Sequence, residues 1–335
     1  MDFFGLDIGS HSIKVAQVKR EKDGVLKLLA LGRAPTPAKG LESEVETDLV
    51  EVATVIKQLL VEARIASRQV VVALPEAKVA TKVLSVPKMK EEELLTALKF
   101  EAEAFVPFPL DEANLDFQIL EEGKSEMRVM LVAAPKRLID KYLQVLFLAG
   151  LTPQALETEM MALVRGVVPD DFPPCLVVDF GAETCDLAMV ENGKIFSTRS
   201  LPTAGEAFTR ALAGALSLEE IQAEEYKKTF GLTEELESKV QKSLLPILEV
   251  VATEMKKTLQ SYAEERKDGL RKIILSGGSA GLPEMASLLA QKLGLEVALA
   301  DPFFKLTFDK SHVSDLTEEG TIFSVAIGLA ERQIE

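Results

Sequence analysis

The sequence predicts an α/β protein made of two related halves, with an α+β stretch within the first half. Two observations lead to this prediction. Short apolar segments bounded by turn residues alternate with stretches of helical periodicity along the whole chain. In addition, one strand–turn–strand unit with an acidic residue and a glycine occurs near residue 7 and again near residue 179.

Composition places the chain among folded proteins and argues against several functions. Apolar residues make up 47% and charged residues 27% of its 335 residues, as in globular domains. The net charge of −15, without a basic cluster, argues against binding to nucleic acid or to an anionic membrane. Cys175 and Cys185 suit a reducing compartment, and two histidines make a zinc site improbable. No apolar run reaches 18 residues and the first residues do not resemble a signal peptide, so we expect a cytoplasmic protein.

The first lobe is predicted to begin with three strands and a helix. Apolar segments at 3–9, 12–18 and 25–32 predict the strands. An Asp-Gly pair at Asp23 predicts a hairpin between the last two of them. Apolar residues at helical spacing then predict a helix over 44–65.

The stretch from about 70 to 134 predicts the inserted α+β unit. Two strands that each end at a proline come first, and a helix over about 90–105 follows with acidic residues in its first turn. Strands at 115–123 and 127–135 complete the unit. A helix over 136–149, ended by a glycine, comes next.

The segment 176–182 opens a second half that repeats the order of the first. An apolar strand, an Asp, a Gly and small residues are followed by a second strand, an Asn-Gly turn and a third strand. Helices rich in Glu and Lys are predicted over 205–265. A strand at 272–278, a helix from Pro283 and a last helix over about 319–332 complete the prediction.

The repeated unit suggests a phosphate site. Asp7 and Asp179 each stand near the end of an apolar strand, and a glycine follows each of them two residues later. Backbone N–H groups in such turns converge on phosphate, and a nearby carboxylate can hold hydrated magnesium. Two such turns facing each other would hold a triphosphate from both sides. Ordinary hairpin turns are the alternative for either unit alone, but two units in corresponding places favour the phosphate interpretation.

A third motif, Gly277-Gly278-Ser279, joins a strand to a helix. Its glycines allow the backbone to lie flat against a planar ligand, and the alternative is an ordinary strand–helix loop. The chain contains neither the P-loop pattern GxxxxGK followed by Ser or Thr nor a GxGxxG fingerprint after its first strand. Those two kinds of nucleotide site are therefore excluded.

Five segments together resemble the actin and heat-shock-chaperone ATPase superfamily. GLDIGSHSIK and VVDFGAETCDLAMVENG are similar to its two phosphate motifs, and AEEYKKTFG is similar to the helix that reaches the ribose and purine. IILSGGSAGLPEM is similar to the adenosine motif, and AIGLA to the second connecting motif. The resemblance implies an actin-like (ribonuclease H-like) pair of duplicated lobes, with ATP and Mg²⁺ in the cleft between them.

The segment 72–120, with VPFPLDE and LDFQIL, resembles the small subdomain of the PilM family of type IV pilus assembly, which is close to the divisome protein FtsA. FtsA ends in a membrane helix, whereas this sequence stops at Glu335 directly after AIGLAER, so we expect no direct membrane anchor. The resemblance implies four parts. The first lobe core comprises 1–75 and 135–174, with a C-terminal helix at 320–335 packing back on it, and an FtsA-type small subdomain at 76–134 is inserted in it. The second lobe core comprises 175–215 and 270–319, and it carries a helical subdomain at 216–269.

The resemblance also implies the site residues. Asp7 and Asp179 would flank magnesium, mostly through water, and Lys14 would act on phosphate as a point charge. The residues expected to bind ATP are Gly9, Ser10, His11, Ser12, Lys14, Gly181, Ala182, Glu183, Thr184, Glu224, Lys227, Gly277, Gly278 and Ser279. Glu159 is the candidate for positioning water, at a place where the superfamily often carries Glu-Pro. Met160 replaces that proline, so we expect weak or absent ATPase activity.

As a function, the resemblance implies a cytoplasmic ATP-binding scaffold of type IV pilus assembly. Members of the family bind the N-terminal cytoplasmic peptide of PilN, an inner-membrane protein, which recruits them to the inner membrane and links the assembly platform to the cytoplasmic motor ATPase. We expect the exposed part of 78–122 to bind this peptide, with self-association left open. Two alternatives remain, a polymerising cytoskeletal ATPase of the FtsA or MreB kind and a small-molecule kinase of the same superfamily.

Overall fold

The computed structural model describes residues 2–266, 270–308 and 319–333, whose strands form sheets of six, five and three strands. The six-stranded sheet contains β1 (Phe3–Ile8), β2 (Ser12–Arg20), β3 (Leu26–Pro35), β4 (Gln69–Leu74), β8 (Thr152–Thr158) and β14 (Leu306–Thr307). Their order in space is β14-β3-β2-β1-β4-β8. Helices α1 (Glu46–Glu62) and α3 (Lys136–Ala149) pack on this sheet through one apolar cluster.

The five-stranded sheet repeats the pairing of the first. It contains β9 (Cys175–Phe180), β10 (Cys185–Glu191), β11 (Lys194–Leu201), β12 (Lys272–Ser276) and β13 (Glu296–Leu299), in the order β11-β10-β9-β12-β13. In both sheets the acidic strand, β1 or β9, pairs antiparallel with the next strand and parallel with a later one. The predicted duplication is therefore present in the strand order.

Among the described residues, four helices accompany the second sheet, and one of them starts later than predicted. They are α5 (Gly205–Leu216), α6 (Glu220–Phe230), α7 (Lys239–Glu265) and α8 (Met285–Leu293). The helix predicted from Pro283 begins at Met285, because Glu284 adopts a left-handed conformation with φ of 61° that a right-handed helix cannot include.

The small sheet is antiparallel, with β5 (Ala80–Pro87), β6 (Ala113–Glu122) and β7 (Glu126–Pro135) in the order β5-β7-β6. Helix α2 (Glu91–Glu103) packs on it through the apolar residues Leu94, Leu98 and Ala102. A one-turn helix, Glu76–Lys78, joins this unit to β4. Within the described residues, β5 and β6 are the two edge strands of this sheet.

Two helices cross closely in the middle of the molecule. They are α4 (Glu159–Val167) and α9 (Ser324–Ala330), and both are largely buried. The helix predicted over about 319–332 is therefore divided in two, a one-turn helix at Gly320–Phe323 and then α9. Residues 334–335 lie outside the described residues. Across residues 2–266, 270–308 and 319–333, no helix has both the length and the apolar character that crossing a bilayer requires.

Replacement of Gly328 by alanine tests the close crossing of α4 and α9. A Cβ on Gly328 would overlap the Ala162 carbonyl oxygen, and neither backbone can move away easily. We expect Gly328→Ala to lower the free energy of unfolding by roughly 2–3 kcal/mol, measured from urea denaturation.

Gly214 provides the matched control, because it also lies in a helix but has open space around its Cβ position. Gly214→Ala should raise the free energy of unfolding by roughly 0.5–1 kcal/mol, since alanine is the better helix former. Equal effects of the two changes would contradict the close packing at Gly328.

Candidate functional site

The two acidic turns have the same hydrogen-bond pattern. In the first turn, the Gly9 N–H donates to the Ser12 carbonyl oxygen at 3.1 Å. In the second turn, the Gly181 N–H donates to the Thr184 carbonyl oxygen at 3.0 Å. Each turn follows the strand that carries the predicted acidic residue, so the duplication extends to the backbone geometry of the turns.

Both turns face one cleft between the two large sheets. They line a cavity of about 150 Å³, together with the loop after β12 and residues around the start of α9. The predicted residues that line it are Asp7, Gly9, Ser10, His11, Ser12, Lys14, Glu159, Asp179, Gly181, Ala182, Glu183, Thr184, Gly277 and Gly278. Three predicted residues, Ser279, Glu224 and Lys227, are not among those that line it.

Gly277 places the third motif against the second turn. Its φ of 90° lies in the left-handed region, and a Cβ there would overlap the Asp179 carboxylate and the Phe180 carbonyl oxygen. Ser279 is buried, and its N–H and hydroxyl donate to the carbonyl oxygens of Phe180 and Gly181 at 3.0 and 3.2 Å. Ser279 therefore supports the second turn from behind, and its contact with adenine or ribose stays a prediction.

Glu224 and Lys227 lie on α6, behind the second turn. The buried Lys227 ammonium donates to the Gly205 carbonyl oxygen and to the Thr209 hydroxyl, both at 2.9 Å, and it pairs with Glu224 at 2.6 Å. Burial lowers the pKa of Lys227, and the Glu224 carboxylate opposes this effect. The Gly205 N–H donates in turn to the Gly181 carbonyl oxygen at 3.1 Å. Contact of this pair with the ribose and base stays a prediction.

Five acidic residues from both lobes line the cleft, and four of them, Asp7, Glu159, Asp179 and Asp186, are more buried than the fifth, Glu183. Burial raises the pKa of Asp179 to about 7, and the charges of Asp186 and Asp7 add to the effect. Burial, followed by the charge of Asp186, raises the pKa of Glu159 well above its usual range. Lys14 offsets part of this charge, because its ammonium lies 3.1 Å from the Asp7 carboxylate. The cleft therefore favours an additional cation.

The carboxylates fit magnesium that is held mainly through water. Within the described residues, no three Asp, Glu, His or Cys side chains come close enough together to ligate a metal directly. Magnesium usually keeps several waters and takes one or two carboxylates, which this arrangement allows. Hydroxyls of Ser200 and Thr184 hydrogen-bond to the Asp186 carboxylate, while its buried Oδ1 has no partner of normal hydrogen-bond geometry among the described residues and could accept a further hydrogen bond from a ligand or an ordered water.

Glu159 is held in place from the inserted subdomain. It begins α4 directly after Thr158, whose hydroxyl accepts the Met161 N–H at 3.3 Å. Its Oε2 accepts the Glu76 N–H at 3.0 Å. Met160, which stands where the superfamily often has proline, is fully buried. The carboxylate thus lies in the cleft, and the one-turn helix after β4 fixes one of its oxygens.

Sequence reasoning missed Glu76. Burial raises the pKa of its carboxyl group to about 7, and the Asp186 charge adds to the effect, while the hydroxyls of Thr198 and Thr158 oppose it. The available signal was an acidic residue directly after a buried strand and a proline, in LPEA. Its bond to Glu159 joins residues 83 positions apart, and no local pattern reveals such a contact.

His11 and Glu183 depart from the small residues usual in these turns. The His11 Nδ1 lies 3.6 Å from the Glu206 carboxylate, and both side chains are partly exposed. Partial burial raises the pKa of Glu183, and the Glu206 charge adds to the effect. Both residues stand at the mouth of the cleft.

A second and larger cavity lies between the small sheet and the first lobe, with a volume of about 1210 Å³. We call it the groove. Its floor is apolar and includes Met130 and Val132 of β7. One wall is the edge strand β6, which contributes the polar residues Asn114, Asp116 and Gln118.

The opposite wall of the groove is charged. The buried Glu157 carboxylate accepts hydrogen bonds from Arg165 at 2.6 and 2.7 Å and also binds Arg332. Lys305 pairs with Glu331 at 2.8 Å, and burial raises the pKa of Glu331 to about 7 although the Lys305 charge opposes this. The groove therefore combines an apolar floor with one polar and one charged wall.

Comparison with known proteins assigns the chain to a family. The family model described as type IV pilus assembly protein PilM matches residues 5–334. The chain belongs to the PilM family. A solved PilM-PilN type IV pilus biogenesis complex contains a chain with 32% identity to this one and a TM-score of 0.87, covering 100% of this chain and 99% of that one. The predicted membership and the predicted actin-like α/β fold are both confirmed.

More distant relatives fit the same fold. Cell division protein FtsA of Streptococcus pneumoniae is 24% identical over 349 residues, which cover 90% of this chain and 75% of FtsA. Ethanolamine utilization protein EutJ from Carboxydothermus hydrogenoformans is 18% identical with a TM-score of 0.60, covering 98% of this PilM-family chain and 88% of EutJ. MreB5 of Spiroplasma citri bound to AMPPNP is 14% identical with a TM-score of 0.53, covering 98% and 94%. The last two show the fold alone.

Replacement of Asp179 by asparagine tests the crowding of carboxylates. The pKa of Asp179 is raised from 3.8 to about 7, so between these pH values the folded chain holds a proton that the unfolded chain releases. The destabilisation caused by the buried, ionised Asp179 is therefore absent below about pH 4 and complete above about pH 7. We expect Asp179→Asn to stabilise the ligand-free chain at pH 8 by roughly 1–3 kcal/mol and to have little effect at pH 4.

The measurement is thermal unfolding between pH 4 and pH 8 in the absence of nucleotide. Asp171→Asn, a change at an exposed carboxylate outside the cleft, serves as the control. If Asp179→Asn destabilised the chain at pH 8, or had the same effect at both ends of the range, the crowding would be refuted.

Proposed function

We propose that this chain is an ATP-binding scaffold of type IV pilus assembly, located in the cytoplasm and recruited to the inner membrane by a PilN-like protein. The observation that supports this most is the convergence of two duplicated acidic turns on one cleft, in a chain of the PilM family. The groove beside β6 provides a separate surface for the protein partner. The proposal includes contact with the pilus motor ATPase through the assembled platform.

ATP and Mg²⁺ are the proposed ligands of the cleft. The N–H groups and hydroxyls of the two turns, around Ser10 and Thr184, would bind the phosphates, and Lys14 would neutralise part of their charge. Asp7 and Asp179 would hold magnesium through water. Bound magnesium would supply charge compensation for the phosphates and the carboxylates together. Glu159 is the proposed water-positioning residue, with weak or absent turnover.

Asp179→Asn also tests the nucleotide site. The change removes a charge that magnesium needs and keeps the size of the side chain, so we expect the affinity for ATP with magnesium to fall roughly tenfold or more. Isothermal titration calorimetry measures this directly. Asp171→Asn should bind like the wild type. If the wild type and Asp179→Asn bound ATP with magnesium equally tightly, Asp179 would not be a ligand-binding residue of the cleft.

The groove is the proposed binding site for the N-terminal peptide of a PilN-like protein. An extended peptide can add to the exposed edge of a sheet, where main-chain hydrogen bonds give affinity and side-chain pockets give specificity. The edge strand β6 offers such an edge, and the apolar floor at Met130 and Val132 offers contact for apolar side chains. The similar chain with a TM-score of 0.87 belongs to a complex of PilM with PilN, which supports this choice of partner.

Phe304 permits a specific test of the groove. Its ring is partly exposed and lines the groove, whereas Phe147 is more exposed, on α3, and is not among the residues that line it. We expect Phe304→Ala to weaken the binding of the PilN-like N-terminal peptide roughly five- to thirtyfold, because an aromatic contact is lost. Phe147→Ala should leave the affinity unchanged. Binding curves from fluorescence anisotropy of a labelled peptide provide the measurement, and identical curves for Phe304→Ala and wild type would place the peptide elsewhere.

A further inference from the structure

A cavity of about 510 Å³ adjoins the cleft on the side of the first lobe. We call it the side cavity. It lies between the loop 36–45 before α1, the one-turn helix Glu76–Lys78 and the start of α3. Five residues line both the side cavity and the cleft, namely Gly9, Ser10, Glu159, Glu183 and Thr184. A ligand bound at the two acidic turns therefore has the side cavity directly beside it.

The phosphate chain of a nucleotide in the cleft would end at the side cavity. Gly277 and Gly278, which belong to the motif expected at adenine and ribose, line the cleft but not the side cavity. Ser10 and Thr184, which are expected at the phosphates, line both. Adenosine at Gly277 and Gly278 thus directs the terminal phosphate toward the boundary between the cleft and the side cavity.

The cleft itself offers little positive charge for a terminal phosphate. Among the described residues that line it, Lys14 is the only lysine or arginine, and its ammonium is held 3.1 Å from the Asp7 carboxylate. Five acidic residues line the same space. A terminal phosphate carries about two negative charges at neutral pH, so a second cation beside the cleft would favour its binding.

The side cavity brings such cations to the edge of the cleft. Among the described residues, its lining contains four lysine and arginine side chains, those of Lys39, Lys78, Arg137 and Lys141. Three of them pair with acidic residues close to the start of α1, Arg137 and Lys141 with Glu44 and Lys39 with Asp48. Lys78 is the fourth, and it comes from a different element, the one-turn helix after β4.

The backbone of Lys78 is fixed beside the cleft. Lys78 ends the one-turn helix whose first residue, Glu76, is buried and donates its N–H to the Glu159 carboxylate at 3.0 Å. Lys78 lies two residues further on, and its long, flexible side chain can place the ammonium in the space beside Glu159. Burial raises the pKa of Glu183 on the second turn, and the charge of Lys78 opposes part of this rise. The charge of Lys78 therefore acts on the second turn.

Lys78 can exchange its partner at little cost. Its ammonium pairs with the Glu42 carboxylate, and the two side chains are 41% and 67% exposed. Exposed ion pairs of this kind contribute little to stability, because water screens them and ordering two long side chains costs entropy. A phosphate offers more charge and more acceptor oxygens than a carboxylate. Glu42 thus holds Lys78 without preventing it from binding another anion.

We propose that Lys78 binds the terminal phosphate of the nucleotide in the cleft and makes the cleft discriminate between a triphosphate and a diphosphate. In the ligand-free chain, Lys78 pairs with Glu42. With a triphosphate bound, its ammonium exchanges this carboxylate for phosphate oxygens, whereas with ADP it stays with Glu42. This inference rests on the proposed function, because its ligand is the nucleotide of the cleft.

The test compares two nucleotides on the full chain. Isothermal titration calorimetry gives the affinities for AMPPNP and for ADP, each with magnesium. The variant is Lys78→Met, which keeps an aliphatic side chain and removes the charge. Lys39→Met is the matched control, because Lys39 lines the same side cavity but lies 3.2 Å from Asp48 at the start of α1.

We expect Lys78→Met to lower the affinity for AMPPNP roughly tenfold and to leave the affinity for ADP within about twofold of the wild type. Lys39→Met should leave both affinities within about twofold of the wild type. A merely structural role of Lys78 would lower the affinities for AMPPNP and ADP alike, and that result overturns the proposal. An unchanged affinity of Lys78→Met for AMPPNP also overturns it, as does an equal loss in Lys39→Met.

Two results with the wild type separate this inference from the proposed function. A wild type that binds AMPPNP and ADP equally tightly overturns the discrimination and leaves the proposed function standing. A wild type that binds neither nucleotide overturns the proposed function, and this inference with it.

If Lys78→Met does not fold, lysine acetylation of the wild type, followed by mass spectrometry, decides the matter. AMPPNP with magnesium should slow the acetylation of Lys78 roughly fivefold relative to ADP with magnesium, because the phosphate then covers the ammonium. The rate at Lys39 should be the same with both nucleotides. Equal rates at Lys78 with the two nucleotides overturn the proposal.

Discussion

Burial of several carboxylates in the cleft, together with their mutual repulsion, is the constraint that dominates the boundary between the two lobes. Asp7 comes from the first lobe, Asp179 and Asp186 come from the second, and Glu159 begins α4, so like charges oppose each other across the boundary. Lys14 compensates one of them directly. The raised pKa values of Asp179 and Glu159 show that burial and repulsion exceed this compensation. Because a bound cation reverses such repulsion, a ligand that carries one stabilises the folded chain.

The inserted subdomain shares this constraint because it has contacts with both lobes. Glu76 at its beginning donates its N–H to Glu159 in the cleft, and Lys194 of the second lobe binds the carbonyl oxygen of Leu120 in its edge strand. A subdomain attached to one lobe alone could turn without affecting the cleft. With contacts on both sides, its orientation depends on how the two lobes stand relative to each other.

Patterns that are local in the sequence predicted the main plan of the molecule, and long-range placement accounts for what they missed. The repeated strand–Asp–x–Gly unit predicted β1, β9 and the two turns, because each depends on residues that are adjacent along the chain. Strands β13 and β14 have four and two residues and exist through parallel pairing with β12 and β3, so no periodicity marks them. Ser279 and Lys227 match the segments that were predicted to bind ATP, but both are buried behind the second turn. The packing of the folded chain decides which side of a loop a residue occupies, and the local sequence does not show it. For the same reason Glu76 could not be recognised.

The surroundings of Glu159 bear on the weak or absent turnover that we propose. A general base has to be ionised at the working pH and within reach of the proton that it accepts. Here burial and the charge of Asp186 raise the pKa of Glu159, which favours its protonated form, and the Glu76 N–H already occupies one of its oxygens. The Glu76 N–H bond favours the ionised carboxylate and so opposes part of the effect of burial on the pKa of Glu159. Neither feature alters the backbone of the two turns that face the cleft. The proposed binding of nucleotide by the two turns therefore does not depend on the ionisation of Glu159.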